Sequence, residues 1–415
     1  MRDQLIEQIR DVRERTLCLI QGLDAQQMMG PRLDIVNPLR WEIGHAAYFY
    51  EYWVLRQHLG EQAVFPTVDE LYDSITIAHD DRWDLPLPDL SATLDYMQEV
   101  QTRVVRHLQE DGPDARRDYL VQYAVFHEDM HTEAFTYTRQ TLGYPAPAIP
   151  AGRRIDSVPD DGPEDVVVPG GTFMLGAGPG DGFVFDNEKW GHEHQLDSFR
   201  IARTAVSNAQ FASFVDAGGY ADPDFWSDEG WDWRQGQGLV HPVYWRSQGD
   251  GWQTRHFDRW QPLQPGAAMI HVSWHEAKAY CRWAGRRLPS ELEWEVAAAA
   301  EPTADGRRLA KTKRTYPWGD EPPAANRANL DGHALGTIDV GALEAGDSAF
   351  GCRQMIGNVW EWTETLFGPY PGFEPDMYAD YSQPLFGNTR VLRGGGWATR
   401  GRMIRNTWRN YYGAQ

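Results

Sequence analysis

Residues 114–145 read DARRDYLVQYAVFHEDMHTEAFTYTRQTLGYP, and this stretch decides how the first third of the chain folds. Apolar and small residues recur at helical spacing, and Gly143 with Pro145 beyond it supplies a stop. The spacing predicts one long helix from about Asp114 to Leu142. Inside it, His127-Glu128-Asp129-Met130-His131 sets two imidazoles four residues apart, on one face and about one turn from each other, as two ligands of a single metal require. Tyr123, Ala124, Ala134 and Thr138 share that face, so the pair points into a helical core. As H-E-x-x-H, the motif permits a zinc metallopeptidase with Glu128 as base. It equally permits any other metal centre with two histidines one turn apart. A plainer reading has both histidines hydrogen-bonded in a core without a metal, but burying two neutral imidazoles with no task is costly.

Upstream, Leu5, Ile9, Val12, Leu19 and Leu23 mark one face of a first helix. A second follows Asn37-Pro38, which offers a cap and a first-turn proline, and runs through WEIGHAAYFYEYWVLRQHL. A third is expected from about Ser91 to Gln109, with Ser91 as cap. Four such helices predict an antiparallel bundle over residues 1–142, with a partly irregular connection from Gly60 to Leu90 that carries His79, Arg82 and Trp83. A third metal ligand should come from another helix, and His45 is the candidate, with Trp41 one turn before it and Tyr48 and Phe49 about one turn after. Three neutral imidazoles leave a divalent metal its full charge and open positions, which suits Fe(II) with a substrate and dioxygen, or Zn(II) with a water. His58 and His107 are expected on helical exteriors.

Downstream, residues 143–165 hold five prolines and read as a linker. From Val166 to Gln415 glycine and tryptophan become frequent and elements shorten. VVVPGGTFMLG reads as a strand, a turn and another strand. In SWHEAKAYCRWAGRRLPSELEWEVAAA, Gly285 and Pro289 separate two helices, and Ser290 with Glu293 forms a capping box for the second. The result is an α+β domain in which the 18 Trp serve mostly as buried pegs. Six of them fall between Phe225 and Trp260, a stretch expected to be a packed loop excursion.

Composition limits the function. With 415 residues there is room for two or three domains, and a formal net charge of -21 argues against nucleic acid as partner. No apolar run approaches the roughly 18–20 residues of a membrane span, and the N-terminus is charged from its second residue, unlike a leader. Cys18, Cys281 and Cys352 are widely spaced and odd in number, so a reducing, cytoplasmic setting is expected.

The segments PGGTFMLG, TAVSNAQFASFV, VSWHEAKAYCRWAGRRLPSELEWEVAAA, YPWGDE, GNVWEW and RVLRGGGW resemble, in order, the formylglycine-generating-enzyme fold, a C-type-lectin-like domain. Those enzymes bind copper through a cysteine pair near the C-terminal end. The corresponding LRGGGWATRGRMIRNTWRNYY has no cysteine, which argues against that activity. A DinB-like four-helix bundle bearing Gly44-His45 and H-x-x-x-H, joined to this domain, resembles the ergothioneine-type sulfoxide synthases, an architecture shared by selenoneine and ovothiol synthases.

The resemblance implies a non-haem Fe(II) enzyme that uses dioxygen to attach a thiol donor, cysteine or γ-glutamylcysteine, to imidazole C2 of hercynine. The selenoneine branch would instead join a selenosugar. His45, His127 and His131 become the implied iron ligands. Tyr378, with Tyr381 beside it in PYPGFEPDMYADYSQP, is the implied proton donor, and Asn410, Tyr411 and Tyr412 match the region lining the substrate pocket. The quaternary ammonium of hercynine cannot donate hydrogen bonds and calls for aromatic faces and negative charge. Arg82 is the candidate partner for a donor carboxylate, and Glu128, pointing sideways from the ligand face, could hold a contact behind the ligands. A structural Ca²⁺ in the lectin-like domain is a further expectation. Two departures bear on this reading. The loop AHDDRWDLPLP is acidic where relatives that grip γ-glutamylcysteine are arginine-rich. The chain also ends at Gln415, where relatives usually continue through a final strand ending Gly-Phe-Arg, so truncation or a missing edge strand is expected. Readings of other classes are a zinc-dependent hydrolase or thiol transferase, and a ligand-binding module built on the lectin-like domain.

Overall fold

The computed structural model describes residues 2–150, 165–249 and 251–415. The chain divides into two compact units: residues 1–149 with 256–259, and residues 150–255 with 260–415. Most of the linker expected over 143–165, namely residues 151–164, lies outside the described residues.

The first unit is helical. α1 (Arg2–Ile20) buries Leu5, Ile9, Val12 and Leu19, the face its spacing marks. A one-turn helix, α2 (Ala25–Met29), follows with a capping box between Asp24 and Gln27. α3 (Leu39–Tyr50) is buried along nearly its whole length and continues into a π-helical turn over Glu51–Arg56. α4 (Val68–Tyr72) and a 3₁₀ turn over His79–Trp83 interrupt the connection to α5 (Leu90–Glu110) and α6 (Ala115–Leu142). α3 packs on α5 and α6, and α1 packs on α6.

Two expected caps are corrected. Asn37 does not cap α3; Pro38 stands at that position without a side-chain bond, and the Asn37 amide donates to Glu42 Oε1 at 3.1 Å instead. Ser91 does not cap α5; Asp89 does, accepting from the Ala92 N–H at 2.9 Å, because a carboxylate one residue before the first helical position competes well for that donor. α6 keeps both expected ends, with Asp114 accepting from the Arg117 N–H at 2.9 Å and Gly143 left-handed at φ 66°.

In the second unit, β1 (Asp165–Val168) pairs antiparallel with β4 (Phe199–Ala202), and the hairpin of β2 (Gly171–Leu175) and β3 (His192–Leu196) lies between them in sequence. α7 (Asn208–Asp216) and α8 (Asp228–Gln237) follow. The meander β5 (Trp245–Gln248), β6 (Gly251–His256), β7 (Arg259–Pro262) comes next. The Trp-rich stretch from Phe225 to Trp260 is thus α8 and a three-stranded sheet, not a loop excursion. Its strands are too short and too polar on both faces to show an alternation.

α9 (Trp274–Trp283) and α10 (Glu291–Ala299) are the two expected helices, and the Ser290–Glu293 capping box is formed. β8 (Ala300–Pro302) pairs with β9 (Leu309–Lys313), and β10 (Glu361–Leu366), β11 (Arg390–Arg393) and β12 (Asn410–Tyr412) make a second three-stranded sheet with β12 at its edge. Several indoles act as pegs: Trp226, Trp274 and Trp294 are buried, and their N–H groups donate to Gly219 O, Thr363 O and Glu361 Oε2. Each thus contributes apolar burial while its polar atom is satisfied.

Candidate metal centre

α3 and α6 bring three histidines together inside the first unit. One ligand nitrogen from each of His45, His127 and His131 lies within 4.8 Å of the others, and among the described residues this is the one cluster of three or more such side chains. The rings meet edge to face, with centroids 5.0 Å apart for His45 and His127, 5.2 Å for His45 and His131, and 4.7 Å for His127 and His131. Nitrogens bound to one divalent metal at about 2.0–2.1 Å stand about 3.0–3.4 Å apart, so the rings need only draw in modestly.

Each ring is held by what surrounds it. His45 Nδ1 lies 2.8 Å from the Tyr72 carbonyl. A carbonyl only accepts, so the proton sits on Nδ1 and the Nε2 lone pair is left for a metal. Trp41 lies flat on His45 at 4.7 Å and 7°, and Phe49 lies flat on His127 at 4.0 Å and 17°. The glycine before His45 has a steric reason: a Cβ at Gly44 would overlap the Tyr72 ring, pushing away the α4 end whose carbonyl orients His45.

Burial first, then the neighbouring His131, hold the His45 imidazole down at about 3; the Tyr72 carbonyl pulls upward and Arg82 adds a smaller depression. Burial, His131 and His45 hold His127 well below its ordinary value. Both therefore stand as neutral imidazoles, the form that ligates. His45 and His127 are each 4 % exposed, whereas the His131 side chain retains 16 %, so the open edge of the cluster lies at His131.

Sequence reading missed the polar residues behind the cluster. Glu42, one turn before His45 and 2 % exposed, brings Oε1 to 3.6 Å from His131 Nδ1, beyond hydrogen-bond range. Asn37 donates to that carboxylate oxygen and accepts from Arg82 Nη1 at 2.7 Å. Arg82 also lies over the Trp41 ring at 4.1 Å. The i, i+3 spacing of Glu42 and His45 was the available signal. Glu128 turns away from the histidines: its oxygens accept from Thr16 Oγ1 at 3.2 Å and Gln101 Nε2 at 3.0 Å. A metallopeptidase base would have to face the metal.

His58 and His107 are half-buried and hydrogen-bonded to Asp114 and to Glu61 and Asp111, rather than simply exterior. In the second unit the structure brings Tyr381 and Tyr411 together, rings 5.9 Å apart, with the Tyr411 hydroxyl donating to the Tyr381 carbonyl. Tyr378 begins the 3₁₀ turn over Ala379–Tyr381. Asn410 Oδ1 accepts from the Tyr411 N–H at 2.8 Å. Among the described residues of this unit, no set of three His, Cys, Asp or Glu side chains converges where the Ca²⁺ expectation would place one.

Comparison with known proteins follows the same division. Residues 8–135 match the DinB superfamily, and residues 153–415 match the sulfatase-modifying factor enzyme 1-like domain. The chain is similar to the hercynine oxygenases of Mycolicibacterium smegmatis and Mycobacterium tuberculosis, 37% identical to each over 99% of this chain and 95% of the relative. It is also similar to the formylglycine-generating enzyme of Streptomyces coelicolor, 34% identical over 60% of this chain and 84% of that enzyme.

Proposed function

Because this chain belongs to the ergothioneine-type sulfoxide synthase family, we propose that it is a non-haem Fe(II) oxygenase acting on hercynine. In the proposed reaction, hercynine, a thiol and dioxygen give the imidazole C2 sulfoxide and water. The observation that carries this reading is the convergence of His45, His127 and His131, whose ligand nitrogens lie within 4.8 Å of one another. Three neutral donors with no carboxylate among them fit a ferrous ion that must keep positions open. When bound, the iron supplies electrons to dioxygen and keeps a bound thiol deprotonated.

The chain's own residues do the rest. Trp41, Phe49 and the Tyr72 carbonyl fix the rings, and Glu42 offsets part of the dication's charge. Tyr378 is assigned the proton donor on the family resemblance, holding a proton at its phenolic oxygen for the reduced oxygen product. Tyr381, Asn410 and Tyr411 are assigned to the substrate on the same ground, the aromatic faces suiting a trimethylammonium group. The zinc-hydrolase alternative is weakened because Glu128, its required base, is bonded to Thr16 and Gln101.

One observation favours the selenosugar branch as a second reading. Arg82, the candidate partner for a donor carboxylate, is bonded to Asn37 and stacked on Trp41, and its neighbours Asp80, Asp81 and Asp84 are acidic. That setting suits a donor without an extra carboxylate. The test is anaerobic reconstitution with Fe(II), then hercynine and oxygen with cysteine, γ-glutamylcysteine or a selenosugar, and mass analysis of the products. A C2-coupled product with any of the three supports the reading, and its identity settles the donor. Failure of all three, with iron bound, refutes it.

A further inference from the structure

In the second unit a short turn, Asp186-Asn187-Glu188, is fully buried although it carries two carboxylates and an amide; all three residues are 0% exposed. Buried polar groups persist only where their hydrogen bonds are made, and the partners of this turn are informative. Asp186 Oδ1 accepts from Ser382 Oγ at 2.5 Å, and Asp186 Oδ2 accepts from the Asp376 N–H at 3.3 Å. Asn187 Nδ2 donates to the same Ser382 hydroxyl oxygen at 3.0 Å. Lys189 Nζ pairs with the Asp376 carboxylate at 2.8 and 3.0 Å.

One carboxylate therefore ties both ends of the segment Asp376–Ser382, and Tyr378 sits two residues inside one end. The turn also reaches the other segment carrying assigned substrate contacts: Glu188 Oε2 accepts from Thr407 Oγ1 at 2.6 Å, and the Asn187 carbonyl accepts from Arg409 Nη1 at 2.7 Å. Phe185, just before it, packs on Tyr381 with ring centroids 4.7 Å apart.

The apolar packing of Phe185 would keep the segment folded down, but only directional bonds fix where a phenol on its short 3₁₀ turn points. We propose that Asp186, acting with Ser382, is a positioning residue for Tyr378: its two oxygens staple the ends of residues 376–382 and so set the place of the Tyr378 hydroxyl. This rests on the assignment of Tyr378 as proton donor.

The test uses the full-length protein with Ser382→Ala and Asp186→Asn, with Tyr378→Phe as reference: the partition is read on iron-loaded proteins with natural tyrosine, and the fluorine line on separate samples carrying 3-fluorotyrosine at position 378 and loaded with diamagnetic Zn(II). The fluorine resonance reports the order of the segment whatever Tyr378 does in the reaction. The partition between C2-coupled product and simple thiol oxidation reports the proton donor. The expected result is a single sharp fluorine line in the parent, a broadened or split line in both variants, and an oxidation-to-coupling ratio raised about tenfold, toward that of Tyr378→Phe, as misplacement by a fraction of an ångström would produce. Iron content should stay at the parent level, and Ser382→Ala, the gentler change, keeps the test open should Asp186→Asn fail to fold.

An unchanged fluorine line in Ser382→Ala overturns the inference outright. So does a broadened line with parental partition while Tyr378→Phe shifts it. If Tyr378→Phe itself leaves the partition at the parental value, the proton-donor assignment fails and the positioning role falls with it.

Discussion

Metal-free protein should lose stability on mild acidification through His45. Its imidazole is held at about 3 by burial and its neighbours, against an ordinary 6.5, so between those values the unfolded chain binds a proton that the folded chain does not. A depressed base of this kind leaves stability intact above pH 6.5 and removes it as pH falls, by about 1.4 kcal/mol per pH unit. From pH 7 to pH 5 the loss assigned to His45 alone is about 2 kcal/mol. His127, depressed by the same causes, acts in the same direction.

The perturbation that isolates the effect is His45→Asn, whose amide N–H can replace Nδ1–H against the Tyr72 carbonyl but which does not titrate. Urea unfolding of the metal-free parent and variant, followed by far-ultraviolet circular dichroism at the two pH values, gives the two losses. The parent should lose about 2 kcal/mol more than the variant. Equal losses would refute the argument that His45 is a desolvated, neutral imidazole in the folded protein.

Glu128→Gln should leave iron content unchanged yet cost about 1–3 kcal/mol, because it sets an amide against two donors, Thr16 and Gln101; lost activity with full stability and metal would instead mark Glu128 as a catalytic base. Gly44→Ala should destabilise by about 1–3 kcal/mol through overlap with Tyr72 and, by moving the carbonyl that orients His45, weaken Fe(II) binding; calorimetry and an anaerobic titration check both, and parental values would remove the steric account of the Gly-His pair. Tyr378→Phe should keep its iron and divert turnover toward thiol oxidation, read by mass analysis; an unchanged product ratio removes the proton-donor role.

Much of the candidate site was legible because helical spacing is a local property. The spacing of His127 and His131 follows from periodicity alone, whereas His45, among aromatics on another helix, was a candidate that the family resemblance joined to them. What periodicity does not carry is the partner across the bundle. The Tyr72 carbonyl that orients His45, and the Asn37 that bridges Arg82 to Glu42, come from a connection whose path depends on tertiary packing. For the same reason Asn37 looked like a cap when its amide is spent on Glu42.

In the second unit the capping box at Ser290 and Glu293 was readable, since both partners lie within one turn. The meander in the Trp-rich stretch was not, because strands of four to six residues with both faces partly wet leave no alternation. Nothing in the local sequence marks the turn at Asp186–Glu188 as buried. Its burial is visible only once Ser382, Asp376 and Thr407, some 190 to 220 residues on, are folded against it.

The most direct test is the stoichiometry of Fe(II) retained after anaerobic loading and dialysis, in the parent and in His45→Ala, His127→Ala and His131→Ala. One ferrous ion per parent chain, and near-zero retention in each variant with the fold preserved, is the expected result. Parental retention in any one of the three would contradict a centre built on all of them.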